Sequence, residues 1–187
     1  WQKLSPRYLW IRTKQIDGVP LEIGSYLRAI FKTLQNYGVC DYDLLPNNFL
    51  EDPTVSLQEY SDFSLITSEI DDNAQPKVIK NYAFLDDLSF EGLKQAIYQN
   101  KAVLLRIVVD EGFFKTDTPI FTQKKYGHLV TAFGYNREFI VVVDSTEIEF
   151  PIKKINKQYV SFITEAGTAI DENTEMINNL IKKRELY

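Results

Sequence analysis

Two β-rich runs set close together constrain this chain more than any other feature. Tyr126-Gly127-His128-Leu129-Val130-Thr131-Ala132-Phe133-Gly134-Tyr135 is followed by Phe139-Ile140-Val141-Val142-Val143-Asp144-Ser145. Only a short turn at Asn136-Arg137 separates them, which is the pattern of a β-hairpin. The first strand would begin at His128 and the second would end at Asp144. In a hairpin those two positions come together at one end of the sheet. His128 is the only histidine of the chain. An imidazole held beside a carboxylate is the orienting half of a nucleophilic triad, and the nucleophile is the piece left to find.

A lone histidine is more often structural than chemical. Two neighbours argue for chemistry here. Gly127 leaves room for a substrate backbone to approach, and Asp144 supplies an orienting group. The one thiol, Cys40, follows a helix end at Gly38-Val39. A reactive thiolate is favoured at a helix N-terminus, so Cys40 reads as a small core residue. One His and one Cys without close acidic partners do not make a metal-ligand set. No glycine-rich phosphate loop is present, so no metal and no cofactor are expected. The acidic patch Glu69-Ile70-Asp71-Asp72 reads as a solvated face.

Composition narrows the classes further. With 187 residues the chain can form one domain with a real core, or two small lobes. The net charge of −5 lacks the basic footprint of a nucleic-acid binder. No apolar run approaches the roughly 20 residues of a membrane-spanning helix, so a soluble protein is expected. A single Cys excludes an intramolecular disulfide framework and fits a reducing compartment. That leans toward an intracellular location but leaves the compartment unknown.

Helix signals dominate the first part. Ser5-Pro6 starts one helix, and a turn containing Asp17-Gly18 and Pro20 follows it. Gly24-Ser25 offers an N-cap to a second, whose Tyr26, Leu27, Ile30, Phe31 and Leu34 recur at helical spacing. Gly38 suits its left-handed end. Residues 41–54 read as loop and 56–79 carry mixed signals. Residues 79–85 suggest a short strand, and Ser89 caps another helix that ends at Asn100. Residues 102–109 form a β-branched buried-strand pattern, and 113–121 an aromatic-punctuated loop. After the hairpin, 147–152 alternates and 159–163 resembles a last strand. Residues 171–186 predict a C-terminal helix. Helices first and a mostly antiparallel sheet second make an α+β protein.

Three stretches resemble the papain-like cysteine peptidases. Leu4-Ser5-Pro6-Arg7-Tyr8-Leu9-Trp10 is similar to the segment after that family's central helix. Residues 24–34, then Gly38-Val39-Cys40 and 43–46, look like its next helix and loop. Residues 90–109, Phe113-Phe114, and Gly127-His128 through Gly134-Tyr135 look like its β-rich lobe. The likeness covers about residues 4–165, and it rests on the order and spacing of motifs rather than on any one of them.

The resemblance implies a papain-like two-lobe α+β fold, its helical lobe incomplete and its β lobe antiparallel. The chain 1–187 would be a single papain-like domain fragment. About 1–52 would be part of the helical lobe, about 101–166 the β lobe, and 171–187 an added C-terminal helix. His128 matches the general base and Asp144 the orienting residue, where the family usually has Asn in Asn-Ser-Trp. Thr146 stands where that Trp would be. Val109, Gly127 and Leu129 would be substrate neighbours.

The family's oxyanion Gln and nucleophilic Cys would lie upstream of Leu4. An N-terminal segment or second chain bearing the Cys is therefore an expected partner, alongside a peptide or protein substrate. Without it the fragment alone would be inactive, and the apolar face of 26–34 would need cover from that segment, from the 171–186 helix or from a second subunit. Two other readings stay open. One is an inactive peptidase-fold protein that binds a peptide or protein partner. The other is a thiol transferase or bacteriocin-leader-type peptidase, which Asp in place of Asn would suit.

Overall fold

A computed structural model describes residues 3–47, 56–120, 125–145 and 151–170. They divide into two compact units, Trp1–Lys80 and Asn81–Tyr187. The expected helix over 171–187 and the position Thr146 lie outside the described residues.

The first unit is helical. Helix α1 (Pro6–Asp17) begins where Ser5 Oγ accepts the Tyr8 N–H at 3.1 Å, with Pro6 in the first position. Gly18, at φ 74°, ends it. Helix α2 (Leu27–Asn36) buries Leu27, Ala29, Phe31 and Thr33. Its N-cap is Tyr26, without a side-chain bond, rather than Gly24-Ser25. Ser25 is diverted, because its hydroxyl donates to Asp17 Oδ2 at 2.6 Å. Tyr26 is exposed and takes no part in the buried stripe.

The mixed signals of 56–79 resolve into short capped helices, α3 (Leu57–Tyr60) under Ser56 and α4 (Ser68–Ala74) under Thr67. The helical unit therefore extends well past residue 52. Tyr8, Ile11, Val39, Cys40, Leu45, Ile70 and Ala74 form its core. Asp71 of the acidic patch is not merely solvated. It accepts the Tyr8 hydroxyl at 2.7 Å and pairs with Arg12, whose guanidinium lies 4.6 Å over the Tyr37 ring. Burial, reinforced by Asp71, pushes the Tyr8 hydroxyl pKa up.

Among its described residues the second unit is a six-stranded antiparallel sheet with one α-helix. Its strands are β1 (Asn81–Phe84), β2 (Val103–Val109), β3 (Tyr126–Tyr135), β4 (Phe139–Val143), β5 (Ile152–Asn156) and β6 (Ile163–Ile170), in the order β1-β6-β2-β3-β4-β5. Helix α5 (Phe90–Asn100) starts at Ser89, whose Oγ accepts the Gly92 N–H at 3.1 Å. Alternation decides which face is buried. Val103, Leu105, Ile107 and Val109 of β2 have no exposed surface and share one core with Phe90, Leu93, Ala96 and Ile97 of α5. Each such aliphatic side chain contributes about 1.5–3 kcal/mol on burial. β1 and α5 join this unit because β1 pairs with β6, so the unit begins ahead of residue 101.

One strand was misplaced by the sequence pattern. Residues 159–163 suggested a last strand, but Lys157–Phe162 is a 3₁₀ turn and β6 follows it. Tyr159 and Val160 are buried side by side, which a strand exposed on one face would not allow. Asn156 sets the turn by accepting the Gln158 N–H at 3.1 Å.

Gly38 couples α2 to the α4 region. It sits at φ +71°, and a Cβ there would lie 2.3 Å from the Ala74 carbonyl oxygen, a backbone atom unable to yield. Gly38→Ala is expected to lower stability by about 2–3 kcal/mol, read as a reduced urea midpoint with unchanged m-value.

Candidate active site

The hairpin that brings His128 to Asp144 is closed by Asn136. Its N–H donates to the Phe139 carbonyl at 2.9 Å, and its Oδ1 accepts the N–H groups of Glu138 at 2.7 Å and Phe139 at 2.8 Å. This side-chain clamp is the reason a three-residue connection holds the two strands together. β3 begins at Tyr126, two residues earlier than the hairpin pattern suggested, because it also pairs with β2 from Val109↔Tyr126 to Val103↔Ala132. Ile107↔His128 is one of these pairs.

Alternation places His128 on the core face with Val130 and Ala132, at the end of the buried row. Thr131 lies opposite Val143. Asp144 follows β4 directly, and its N–H donates to Pro151 O at 2.7 Å. Continuing that register sets Asp144 diagonal to His128 on the same face. His128 Nε2 lies 3.0 Å from Asp144 Oδ1, with the imidazole 14 % exposed and the carboxylate 0 %. An ionised carboxylate only accepts hydrogen bonds, so Nε2 carries the proton of this pair. Nδ1 is then the nitrogen able to exchange a proton with a reacting group.

Two side chains of the aromatic-punctuated segment 113–121 touch the imidazole. The 3₁₀ turn Glu111–Lys115 presents Phe113 and Phe114, whose ring centroids lie 5.5 and 5.2 Å from that of His128, both edge to face. Phe113 is fully buried. Phe114 stacks in turn on Tyr126 at 6.1 Å. The available signal was an apolar pair directly after Asp110-Glu111-Gly112. There Asp110 Oδ1 accepts the Gly112 N–H at 2.9 Å and fixes the turn. Water has little access to the His128–Asp144 bond, and electrostatic interactions strengthen where water is excluded.

The remaining candidates fall elsewhere. Gly127 is exposed and Leu129 half-buried, but both lie on the face opposite the imidazole. There Arg106 pairs with Leu129, and a Cβ on Gly127 would meet Arg106 Nε at 3.4 Å. Val109 is wholly buried in the sheet core. Cys40 is fully buried in the core of the helical unit, where burial pushes its thiol pKa up. Among the described residues no His, Cys, Asp and Glu side chains group as a metal site would require, and no helix is long and apolar enough to cross a membrane.

No protein-family model and no curated protein matches the sequence. Solved structures do. Xylellain, a cysteine protease from Xylella fastidiosa, superposes with a TM-score of 0.74 at 16 % identity, over 90 % of this chain and 70 % of its own. Bromelain protease from Ananas comosus gives 0.64 at 14 % identity, over 91 % of this chain and 79 % of its own. Procathepsin L 3 of the Tenebrio molitor larval midgut gives 0.64 at 16 % identity, over 91 % and 56 %. The chain adopts the fold of the papain-like cysteine proteases.

Proposed function

We propose that this chain carries the general-base half of a papain-like cysteine peptidase, with His128 as base and Asp144 as its orienting residue. The observation that supports this most is the 3.0 Å contact from His128 Nε2 to a fully buried carboxylate, which leaves Nδ1 for proton transfer. In the proposed reaction Nδ1 takes the proton of a thiol, and the thiolate attacks a peptide carbonyl carbon. The C–N bond then breaks as the imidazolium returns that proton to the leaving amine. Water, deprotonated by the same nitrogen, attacks the thioester and releases the acid and the thiol. Asp144 holds the ring in one tautomer and carries charge opposite to the imidazolium. The sequence of steps needs no metal or cofactor.

Cys40 is unsuited to be the nucleophile, being buried with a raised thiol pKa. The thiol is therefore supplied from outside these 187 residues, by an upstream segment or a second chain. On the substrate side, Gly127 would offer its backbone beside the imidazole, whereas Leu129, on the opposite face of the sheet, would act only by holding the strand. Val109 would act from behind, by fixing the strand end that pairs with Tyr126. A second reading, a non-catalytic protein that binds a peptide or protein partner, is favoured by the burial of the chain's one thiol.

Three outcomes test this. Denaturing intact mass, before and after an electrophilic thiol-directed peptidase inhibitor, should reveal a Cys-bearing segment or second polypeptide that gains the inhibitor's mass. No mass gain with the protein in its natural, complete form would leave the binding reading. In the active form, His128→Ala should lower kcat/KM by about 10²- to 10⁴-fold, and an equal rate in the variant would remove His128 from the mechanism. Cys40 should resist iodoacetamide in the native state and react fully only in denaturant; rapid native alkylation would contradict its burial.

A further inference from the structure

The second unit buries a cation close to its buried carboxylate. Lys153 has no exposed surface, although it lies on β5, the last strand of the sheet. It pairs with Val142, a core-facing residue, so its side chain runs inward. Asp144 and Lys153 thus share one face of the sheet, on adjacent strands and one step apart in register. A cation and a carboxylate buried near each other can offset part of each other's desolvation.

The ammonium does more than compensate charge. Lys153 Nζ donates to the Thr116 carbonyl at 3.2 Å and lies 4.9 Å over the Phe113 ring. Its neighbour extends the grip, because the Lys154 N–H donates to Asp117 O at 2.7 Å and Lys154 Nζ lies 3.3 Å from Asp117 Oδ2. β5 therefore fastens the end of the turn whose two phenylalanines contact the imidazole. One face of Phe113 receives the cation, and the same ring meets His128 at 5.5 Å. A desolvated cation over an aromatic face is strongly held.

We infer that Lys153 is a positioning residue for His128, acting through Phe113 and the Thr116 carbonyl to keep the aromatic edges against the imidazole. Its catalytic consequence rests on the peptidase reading above, but its structural test does not. His128 is the only histidine, so its ring resonances can be read without ambiguity in the full chain by NMR.

Lys153→Met, one atom shorter, removes a buried charge and takes one donor from the Thr116 carbonyl, so the thermal midpoint should fall by a few degrees while the fold is retained. The exchange of the His128 Nε2 proton with water should quicken by about two- to tenfold, the range that an aromatic contact is worth. The ring protons should also move away from their ring-current-shifted positions. Lys153→Gln, which can still donate to the Thr116 carbonyl but carries no charge over Phe113, should produce the same spectroscopic change. It decides the matter alone if Lys153→Met does not fold. Exchange and ring shifts identical to the unsubstituted protein in either folded variant would overturn the inference. That result would leave the thiol-labelling test untouched, and failed labelling would leave this measurement readable.

Discussion

The pairing of Thr131 with Val143 is the contact on which the candidate site depends. Side chains alternate along a strand, so a slip of one residue moves every one of them to the other face. With such a slip His128 would turn to the face of Arg106, away from Asp144 and the two phenylalanines, and Leu129 would take its place in the core. The register is held from both sides. The Asn136 clamp sets it at the turn, and the continuous β2–β3 ladder holds β3 independently. The irregularity between Ala132 and Gly134 lies nearer the turn, so the stretch from Thr131 toward His128 stays regular. The site's geometry is thus a property of backbone pairing, with the side chains placed by it.

The groups that touch the imidazole come from one compact unit: Asp144 after β4, and Phe113 and Phe114 from the turn after β2. Each is itself fixed by a neighbour, Asp144 through Pro151 and the turn through Asp110 and β5. Orientation of the imidazole is therefore set by groups within this unit. A reacting group held by surroundings that are already in place loses little freedom when the reaction begins, which is the usual advantage of such sites.

The hairpin, α1, α5 and β2 were legible in the sequence because their signals are local. A Ser-Pro start, a Ser cap, β-branched runs and an Asx turn each act within a few residues. β6 was hidden because Glu165, Ala166, Gly167 and Ala169 have little strand character, and it exists through pairing with β1 and β2 on either side. The helices of 56–79 were obscured by brevity, since four and seven residues give little periodicity to read. The His–Asp pairing was visible as spacing, but the phenylalanine edges and the inward lysine were not. The lysine depends on a contact between β5 and a turn 37 positions earlier in the chain, and the phenylalanine edges on contacts between that turn and β3, which no local pattern encodes.

The inward lysine also bears on how this protein behaves in company. β5 is an edge of the sheet, and exposed edges invite pairing with strands of other molecules. A charge buried on such a strand fixes it in one register, because sliding by one residue would turn Ile152 and Lys154 inward and release Lys153 to water. An edge that tolerates only one alignment is a poor template for a growing stack of strands. The sequence Ile152-Lys153-Lys154-Ile155 thereby ties the alignment of β5 to the burial of one ammonium.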